Sequence, residues 1–405
     1  MKVLLMGAGA QGSACASIMV RDDSIDEILF CDIDFDAVSE ISRKINSDKI
    51  KIKKVDASKI EEITAAAKGM DVVIDFVTPK FYFQVMQGAL AAGVNYINTA
   101  FDKFLWDDGV LEIGKNPKLH DEFKAKGISA LMGCGMSAGY TNVIAKYYAD
   151  KLEKVKSIKI RLGKRDASLG KYEEALQAWN PGWDPRQALL DFVLPAGVFR
   201  NGKYEFVREP FAEIEEWAFP EPVGVLPVSF HAHEEPYSLP ATFIDKGLEY
   251  CDFKYYVNMQ VAPLVSLGLA SEEPVTVGGV QINPLDLIIS KIPKPAENFT
   301  GEDPAKFDIL DKTKRVSIMV EVVGENNGKE VKYLVNIPEM NVPRKKMYDT
   351  YGTSNISVSL PAVVGAKMIC RKDSPSGVIF PQDLDAQMFL DLMEKSGYEH
   401  KFNEV

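Results

Sequence analysis

The chain has 405 residues, 46% of them hydrophobic, and this length predicts two domains rather than one compact core. Acidic residues outnumber basic ones by 58 to 47, the net charge is −11, and no Lys/Arg-rich run stands out. Nucleic acid and anionic membrane surfaces are therefore excluded as expected partners.

Cysteine usage and the opening residues bear on the cellular compartment. The five cysteines are scattered without a CxxC pair, which is typical of reduced thiols and argues against a disulfide scaffold or a structural zinc site. The chain opens on a strand rather than on a signal peptide, and no apolar run has the length of a membrane span. We therefore expect a cytoplasmic protein.

A glycine-rich turn follows the first predicted strand. Lys2–Met6 leads into GAGAQG, a GxGxxG pattern that opens a predicted helix. Such a turn brings main-chain N–H groups and a helix N-terminus against a pyrophosphate. The residues predicted to bind a dinucleotide are Gly7, Gly9, Ala10, Gln11 and Gly12.

An acidic residue closes the second predicted strand, residues 27–31. Asp32 lies twenty positions after Gly12, where a carboxylate accepts hydrogen bonds from ribose hydroxyls and repels a 2′-phosphate. This placement predicts NAD in preference to NADP. Asp34 either shares that role or caps the next helix.

Three more units follow in which a helix ends in glycine and an apolar strand begins at once, over residues 65–77, 90–98 and 124–132. This repetition predicts a Rossmann-type, doubly wound parallel sheet reaching about residue 135, in an α/β domain. Loops after the strands face the cofactor in such folds. Asp56 and Ala57 are predicted to line the adenine and Thr78 and Pro79 to border the nicotinamide ribose, although Asp56 is equally consistent with a helix cap.

The stretch 133–142, GCGMSAGYTN, resembles the saccharopine dehydrogenase family, whose members carry a G-x-x-P-G-x-T-N turn here. Ala138 replaces the usual proline, and residues 92–100, 235–240 and 359–366 are also similar. The resemblance implies hydride transfer at a carbon bearing nitrogen in an amino acid, an opine or a polyamine-like amine. It also implies a homodimer and a C-terminal tail that returns to the dinucleotide domain.

Beyond residue 151 the parallel pattern stops. Residues 155–162 alternate in polarity, and two further predicted strands, 314–323 and 330–337, flank turn residues. These features predict a second, α+β domain with an antiparallel sheet. We assign 1–135 and 355–405 to a discontinuous dinucleotide-binding domain, and 136–354 to a substrate-binding and dimerisation domain.

Candidate acid/base groups are few, because the chain has four histidines. His231 and His233 share one face of an extended segment. They form either a hydrogen-bonded loop edge or a substrate-side acid/base or ammonium-binding group; zinc is the least favoured of the three, because no further ligand cluster is evident. His233, Glu234 and Asp102, which follows the fifth strand, are the predicted catalytic residues; a helix cap is the alternative for Asp102, and no metal site is predicted.

Further candidates each have a packing or capping alternative. Cys134 is the candidate active-site thiol, and Tyr140, Thr141 and Asn142 form a candidate anion site at the start of a helix. The candidates for binding a substrate carboxylate are Arg161, Arg165, Arg186 and Arg200, and those for a cation–π contact with the substrate are Trp179 and Trp183. Three functions stay open: an NAD-dependent oxidoreductase of amines, an oxidoreductase of the same architecture for alcohols or aldehydes, and a non-catalytic dinucleotide-sensing protein.

Overall fold

A computed structural model of the chain describes residues 1–166, 173, 179, 181, 184–292, 307–340, 342–398 and 400–404. The strands of the described residues are β1 (Lys2–Met6), β2 (Glu27–Asp32), β3 (Ile50–Lys54), β4 (Val72–Asp75), β5 (Asn95–Asn98), β6 (Ser129–Leu131), β7 (Lys154–Asp166), β8 (Ala196–Arg200), β9 (Lys203–Val207), β10 (Glu215–Ala218), β11 (Val225–Phe230), β12 (Tyr250–Tyr256), β13 (Val275–Val277), β14 (Val280–Ile282), β15 (Lys314–Asn326), β16 (Lys329–Pro338), β17 (Gly377–Ile379) and β18 (Lys401–Glu404).

The α-helices of the same residues are α1 (Ala10–Met19), α2 (Phe35–Ile45), α3 (Ile60–Ala67), α4 (Tyr82–Ala92), α5 (His120–Ala125), α6 (Tyr140–Ala149), α7 (Pro185–Leu190), α8 (Glu235–Phe243), α9 (Ala262–Ser266), α10 (Pro284–Ile289), α11 (Phe307–Thr313), α12 (Arg344–Tyr351), α13 (Ser359–Ile369) and α14 (Ala386–Lys395). Among the described helices, none has both the length and the apolar character needed to cross a bilayer.

The chain divides into two compact units. Of the described residues, the first unit holds 1–150 and 340–398, and the second holds 151–292, 307–339 and 400–404. These limits differ from the predicted ones at three places: residues 136–150 and 340–354 lie in the first unit, where Met347 of α12 packs with Ala14 of α1, and residues 400–404 lie in the second. Helix α6 packs on α14 inside the first unit, and the final strand β18 pairs with β16 inside the second.

The first unit is a seven-stranded parallel sheet in the order β17-β6-β5-β4-β1-β2-β3. Strand β1 lies near its centre, and Val3, Leu4, Leu5 and Met6 are fully buried, as expected for a parallel strand covered on both faces. The C-terminal segment supplies β17 and the almost wholly buried helix α13. This confirms the predicted doubly wound fold.

The second unit is built on a nine-stranded sheet that includes the order β10-β11-β12-β7-β15-β16-β18, with β8 and β9 pairing beside β12. Its pairs are antiparallel except for β12 with β7, which makes the predicted antiparallel sheet a mixed one. The predicted hairpin is present as β15–β16, and its tight turn is Asn327-Gly328, both with positive φ. A separate two-stranded hairpin, β13–β14, was not predicted.

Candidate active site

The glycine-rich turn of the first unit has the shape that a dinucleotide requires. Gly7 has φ +98°, and a Cβ there would meet the main chain of Phe76 at 2.7 Å. A Cβ on Gly12 would lie 1.8 Å from the Gly7 carbonyl oxygen. By contrast, a Cβ on Gly9 meets nothing within 4 Å among the described residues, so the main chain at Gly9 borders open space at the start of α1. The residues present therefore fit a pyrophosphate lying on this turn.

The turn is supported from two sides. The Asp32 carboxylate accepts hydrogen bonds from the Ala8 N–H (2.6 Å) and from the Asp34 N–H (2.9 Å), so the acid that ends β2 touches the glycine loop directly. The buried Ser359 hydroxyl donates to the Gln11 carbonyl oxygen and also contacts the Gln11 side-chain oxygen, each at 2.8 Å. Ser359 begins α13, so the C-terminal segment helps to hold the loop.

Acidic side chains dominate the segment after β2. Asp34 caps α2 by accepting from the Asp36 and Ala37 N–H groups, which is the alternative that the sequence left open. Residues 31–39 contain Asp32, Asp34 and Asp36 and no Lys or Arg, while Lys54 is the cation opposite Asp32 in the β2–β3 ladder. Ile33, between the first two acids, is 57% exposed and offers an apolar surface beside them.

The loops after β3 and β4 hold the other predicted cofactor residues. Asp56 accepts hydrogen bonds from the Ser58 hydroxyl (2.7 Å) and the Ser58 N–H (2.9 Å), and these bonds lower its pKa. It therefore orders its own loop, next to Ala57. Thr78 precedes a short 3₁₀ turn that starts at Pro79.

Asp75, the last residue of β4, was missed by the sequence reasoning. Its buried carboxylate accepts from the Val77 N–H (2.9 Å) and from the Tyr96 hydroxyl (2.8 Å), and burial raises its pKa to about 7. It thus fixes the loop that leads to Thr78. A polar residue at the end of an otherwise apolar strand was the available signal.

Asp102 lies at the end of the loop after β5 and is exposed. Its carboxylate accepts from the Phe104 N–H (2.8 Å) and from the Tyr82 hydroxyl (3.1 Å). The capping role that the sequence allowed is therefore present, and an acid/base role stays a prediction.

In the small-residue turn at residues 133–142, polar groups form hydrogen bonds within the protein. Asn98 accepts the Gly133 N–H with its side chain and the Cys134 N–H with its carbonyl oxygen. Burial raises the pKa of the Cys134 thiol, which disfavours the reactive thiolate. Asn142 accepts from the Gly139 N–H and donates to Gln382, each at 3.0 Å, so it serves capping and packing.

In the second unit, His231 is a buried aromatic-core residue. Its ring lies 4.8 Å from that of Tyr255, in a stacked arrangement, and 4.6 Å from that of Phe192, edge to face. Burial, with a smaller contribution from the charge of His233, lowers the pKa of His231 to about 3. The imidazole is therefore neutral at physiological pH, and the two histidines have different environments despite their spacing.

His233 stacks on Phe253 with ring centroids 3.8 Å apart. Its Nδ1 bonds to the buried carboxylate of Glu235 and lies 3.2 Å from a carboxylate oxygen of Glu234. Burial alone would lower the pKa of His233, but the charges of Glu235 and Glu234 outweigh it and raise the pKa to about 9. The side chain is thus an imidazolium at neutral pH, held by two carboxylates.

Asp191, at the end of α7, is the group beside these residues that sequence reasoning missed. Its main-chain carbonyl accepts the Ala232 N–H (3.1 Å), which places it next to the histidine loop, and its side chain accepts from Gln187 Nε2 (2.6 Å). Burial raises the pKa of Asp191 to about 7, and the charge of Glu234 adds to the effect. We define Asp191, His233, Glu234 and Glu235 as the histidine–carboxylate cluster.

Three members of the cluster lie close enough together to offer ligand atoms to one metal ion. One ligand atom each from His233, Glu234 and Glu235 lies within 4.8 Å of the other two. The His233 Nδ1 is, however, already hydrogen-bonded to Glu235, and a metal ion would have to replace that bond. The geometry is that of a hydrogen-bonded ion cluster.

Three of the four candidate arginine clamps are paired inside the second unit. Arg161 is 1% exposed and bonds to both carboxylate oxygens of Asp252 (2.7 and 2.9 Å) and to Glu215. Arg186 pairs with Glu272 and Asp286, and Arg200 with Glu213. Arg165, on β7, forms no ion pair with a described residue.

Of the two tryptophan candidates, one lies in an apolar core. Trp179 packs against the apolar cluster that contains Leu189 and Phe192, which is the core role the sequence allowed. Trp183 lies outside the described residues.

Comparisons with known proteins agree with this architecture. The family models "Saccharopine dehydrogenase NADP binding domain" and "Saccharopine dehydrogenase C-terminal domain" match residues 3–131 and 135–398. Carboxyaminopropylagmatine dehydrogenase of Synechocystis is 23% identical over 411 positions, covering 98% of this chain and 96% of that protein. Carboxynorspermidine synthase of Vibrio cholerae is 24% identical over 326 positions, covering 74% and 75%.

Among solved structures, apo saccharopine dehydrogenase (L-Glu forming) from Saccharomyces cerevisiae superposes with a TM-score of 0.67 at 16% identity, covering 100% of this chain and 99% of that one. This match shows a shared fold. The two family models together span nearly the whole chain and confirm the resemblance seen in the sequence. The chain therefore belongs to the saccharopine dehydrogenase family of nicotinamide-dinucleotide-dependent oxidoreductases.

Proposed function

We propose that the chain is an NAD-dependent dehydrogenase or reductase that moves hydride at a carbon–nitrogen bond of an amino-acid, opine or polyamine-like substrate. The observation that carries the proposal is the open main chain at Gly9, with Asp32 hydrogen-bonded to the same loop, in a chain of this family. When bound, the nicotinamide supplies the hydride acceptor or donor. Gly7, Gly9, Ala10, Gln11 and Gly12 would hold the pyrophosphate.

The choice of NAD over NADP is proposed from charge. The family model is named for NADP, but here the segment that would meet the adenosine ribose contains Asp32, Asp34 and Asp36 and no Lys or Arg. A 2′-phosphate there would meet carboxylates, whereas free ribose hydroxyls would donate to Asp32. Lys54 is the nearby cation in the ladder that would have to offset this repulsion. Ile33 and Ala57 are proposed to flank the adenine, with Asp56 ordering the loop, and Thr78 and Pro79 to border the nicotinamide ribose.

We assign the substrate amine to the histidine–carboxylate cluster. The cluster carries three carboxyl groups against one imidazolium, beside the aromatic ring of Phe253, an arrangement that attracts an ammonium group. Among its members Asp191 has a pKa raised to about 7, so its carboxylate can take up a proton near neutrality. His233, with a pKa raised to about 9, is already protonated there and holds Glu234 and Glu235 in position.

In the oxidative direction a nicotinamide cofactor held by the glycine-rich turn would supply the acceptor for the hydride of the substrate C–H bond, and Asp191 would take the proton that the amine nitrogen loses. Water adds to the resulting carbon–nitrogen double bond and releases a carbonyl compound and an amine. The reductive direction reverses these steps. Asp102 is retained as a second candidate for the proton-transfer group.

The curated relatives suggest the kind of amine. One is named for carboxyaminopropylagmatine and the other for carboxynorspermidine, and both names describe carboxylated polyamine-type molecules. We propose a substrate of this class for the present chain. A homodimer in the cytoplasm completes the proposal, and the location is supported by the five cysteines, all of which are free thiols.

The test measures NADH formation at alkaline pH with a panel of diamines, basic amino acids, opines and carboxylated polyamines, and NADH oxidation when a carbonyl compound and an amine are supplied together. Turnover with one of these and not with the matching alcohols supports the proposal. Turnover confined to alcohols or aldehydes favours the second function, and NADH binding without turnover on any panel member favours the sensing function.

A matched variant pair locates the amine site. Asp191→Asn should lower kcat strongly and remove the rise of activity near pH 7, because the amide cannot accept a proton. Asp245→Asn, at an exposed position in the turn just after α8, is the control: it removes an acid of the same unit and should leave the pH profile unchanged. Equal pH profiles for Asp191→Asn and the wild type would contradict the assignment.

A further inference from the structure

The carboxylate of Asp75 is buried without a cation beside it. Asp75 ends β4, is 3% exposed, and accepts hydrogen bonds from the Val77 N–H and the Tyr96 hydroxyl. It forms no ion pair with a described residue, and Lys367 on α13, a helix that packs on β4, pairs with Asp22 instead. Two hydrogen bonds from neutral groups only partly replace the water that a carboxylate loses on burial, so its charge lacks a partner.

The other elements packed against β4 also bring uncharged groups to Asp75. Strand β1 places Met6 beside it in the ladder, and β5 places Asn98 on the other side. Strand β5 also supplies Tyr96, and α4, which has no charged side chain, begins at Tyr82. Burial, with a smaller contribution from the charge of Asp75, holds the pKa of Tyr96 well above its usual value. Asp75 is therefore the group of this set that can change charge near neutrality.

Both protonation states of Asp75 can keep their hydrogen bonds. The ionised carboxylate accepts from Val77 and from Tyr96 at 2.9 and 2.8 Å. A protonated carboxyl can donate to the Tyr96 oxygen, and the Tyr96 hydroxyl can then donate to the Tyr82 carbonyl oxygen, 3.4 Å away. The two states thus differ mainly in charge, which agrees with a pKa raised to about 7 by burial.

This charge lies next to the glycine-rich turn. Asp75 immediately precedes Phe76, whose main chain would lie 2.7 Å from a Cβ on Gly7. The loop that follows contains Thr78 and Pro79, which we propose to border the nicotinamide ribose. The oxidised nicotinamide ring carries a positive charge that the reduced ring lacks. A buried carboxylate at this edge of the sheet therefore acts differently on the two forms of the cofactor.

We propose, on the basis of the cofactor binding proposed above, that the Asp75 carboxylate is the counter-charge of the oxidised nicotinamide and favours NAD over NADH. The attraction is present above about pH 7, where Asp75 is ionised, and is lost as the pH falls and the carboxyl group takes up a proton. Binding of NAD should therefore release a proton from Asp75. Binding of NADH should not.

The expected size of the effect follows from Coulomb's law. Two unit charges about 10 Å apart, at an effective dielectric constant of about 20, change a dissociation constant roughly 10- to 20-fold. Linkage to one group with a pKa of about 7 then makes the Kd for NAD about five- to tenfold higher at about pH 6 than at about pH 8.5. The Kd for NADH should change by less than about threefold.

The test is calorimetric titration of the full chain with NAD and with NADH, from about pH 6 to about pH 8.5 and in buffers of different ionisation enthalpy. At pH 7, NAD binding should release about 0.4 proton more than NADH binding. Asp75→Asn keeps an oxygen that accepts from the Val77 N–H. It should abolish this release, raise the Kd for NAD roughly 10- to 20-fold at about pH 8.5, and leave that for NADH within about threefold.

Two further variants separate charge from structure. Tyr96→Phe removes a hydrogen bond that stabilises the carboxylate but leaves the charge, so the pH at which NAD affinity falls should move upward, which a merely structural role would not cause. Asp71→Asn, at an exposed position just before the amino end of β4, is the control and should leave both dissociation constants within about threefold.

Thermal unfolding of each variant checks the fold, and if Asp75→Asn does not fold, the proton release of the wild type and the shift in Tyr96→Phe decide. Equal proton release with NAD and NADH overturns the proposal. An Asp75→Asn variant that weakens both forms alike, or a Tyr96→Phe variant with an unmoved pH midpoint, overturns it as well, while the proposed function stands. A wild-type chain that binds neither form overturns both.

Discussion

Two alanine substitutions in the glycine-rich turn should separate cofactor binding from folding. Gly9 has backbone angles that alanine adopts freely (φ −72°, ψ −170°), and its added Cβ meets nothing within 4 Å among the described residues. Gly12 differs, because its Cβ would lie 1.8 Å from the Gly7 carbonyl oxygen, about half of an ordinary contact distance. Gly9→Ala fills open space in which we propose that the cofactor binds, and Gly12→Ala fills space that the protein itself occupies.

The expected magnitudes follow from these surroundings. Gly9→Ala should change the free energy of unfolding by less than about 1 kcal/mol, because no contact is broken. It should displace the pyrophosphate and cost at least one charge-assisted hydrogen bond, about 1.5–3 kcal/mol, or roughly 10- to 150-fold in the Kd for NADH. Gly12→Ala should destabilise the protein by about 3 kcal/mol or more, since main-chain atoms must move to admit the methyl group.

Binding is measured by NADH fluorescence titration and calorimetry, and stability by thermal and urea unfolding. The reasoning fails if Gly9→Ala binds NADH as tightly as the wild type, since the dinucleotide would then not lie on this turn. It also fails if Gly9→Ala destabilises the protein as much as Gly12→Ala does.

Three further outcomes follow from the same structure. Asp32→Ala should raise the KM for NAD strongly and affect NADP less; equal effects, seen in steady-state kinetics, would refute the ribose contact. Asp252→Asn replaces the carboxylate that accepts two hydrogen bonds from the Arg161 guanidinium, 1% exposed, by a neutral amide with a single acceptor oxygen and should cost about 3–5 kcal/mol in urea unfolding. Glu215→Gln, which alters the more exposed pair of the same arginine, should cost about 1 kcal/mol or less, and similar losses for the two would count against this account. The pKa of His233 is raised from 6.5 to about 9, so its contribution to stability is fully present below pH 6.5 and is lost as the pH rises toward 9; His233→Gln should flatten the melting temperature across that window, and an unchanged slope would show that another group titrates.

Some features of the second unit were readable in the sequence, and one readable feature was overlooked. The β15–β16 hairpin follows from two alternating segments around an Asn-Gly turn. The residues VTVGGVQI carry an equally clear signal, a Gly-Gly pair between alternating valines, and they form the β13–β14 hairpin. That Val275, Val277 and Val280 are about half exposed could be learned only from the folded chain.

By itself the sequence determined the doubly wound fold, the dinucleotide turn and the position of Asp32, because each depends on residues close together in the chain: glycines at a strand-to-helix turn, an acid at the end of the next strand, and repeated helix-to-strand units. The tertiary structure alone decided the ionisation and pairing of the other polar groups. Arg161 binds Asp252, which lies 91 positions later in the chain, and is therefore not available to bind a substrate carboxylate. His231 and His233 are two residues apart, yet the first imidazole is neutral and the second is charged. The physical reason is that a pKa or an ion pair is set by burial and by neighbours in space, and these come from elements that the local pattern does not specify.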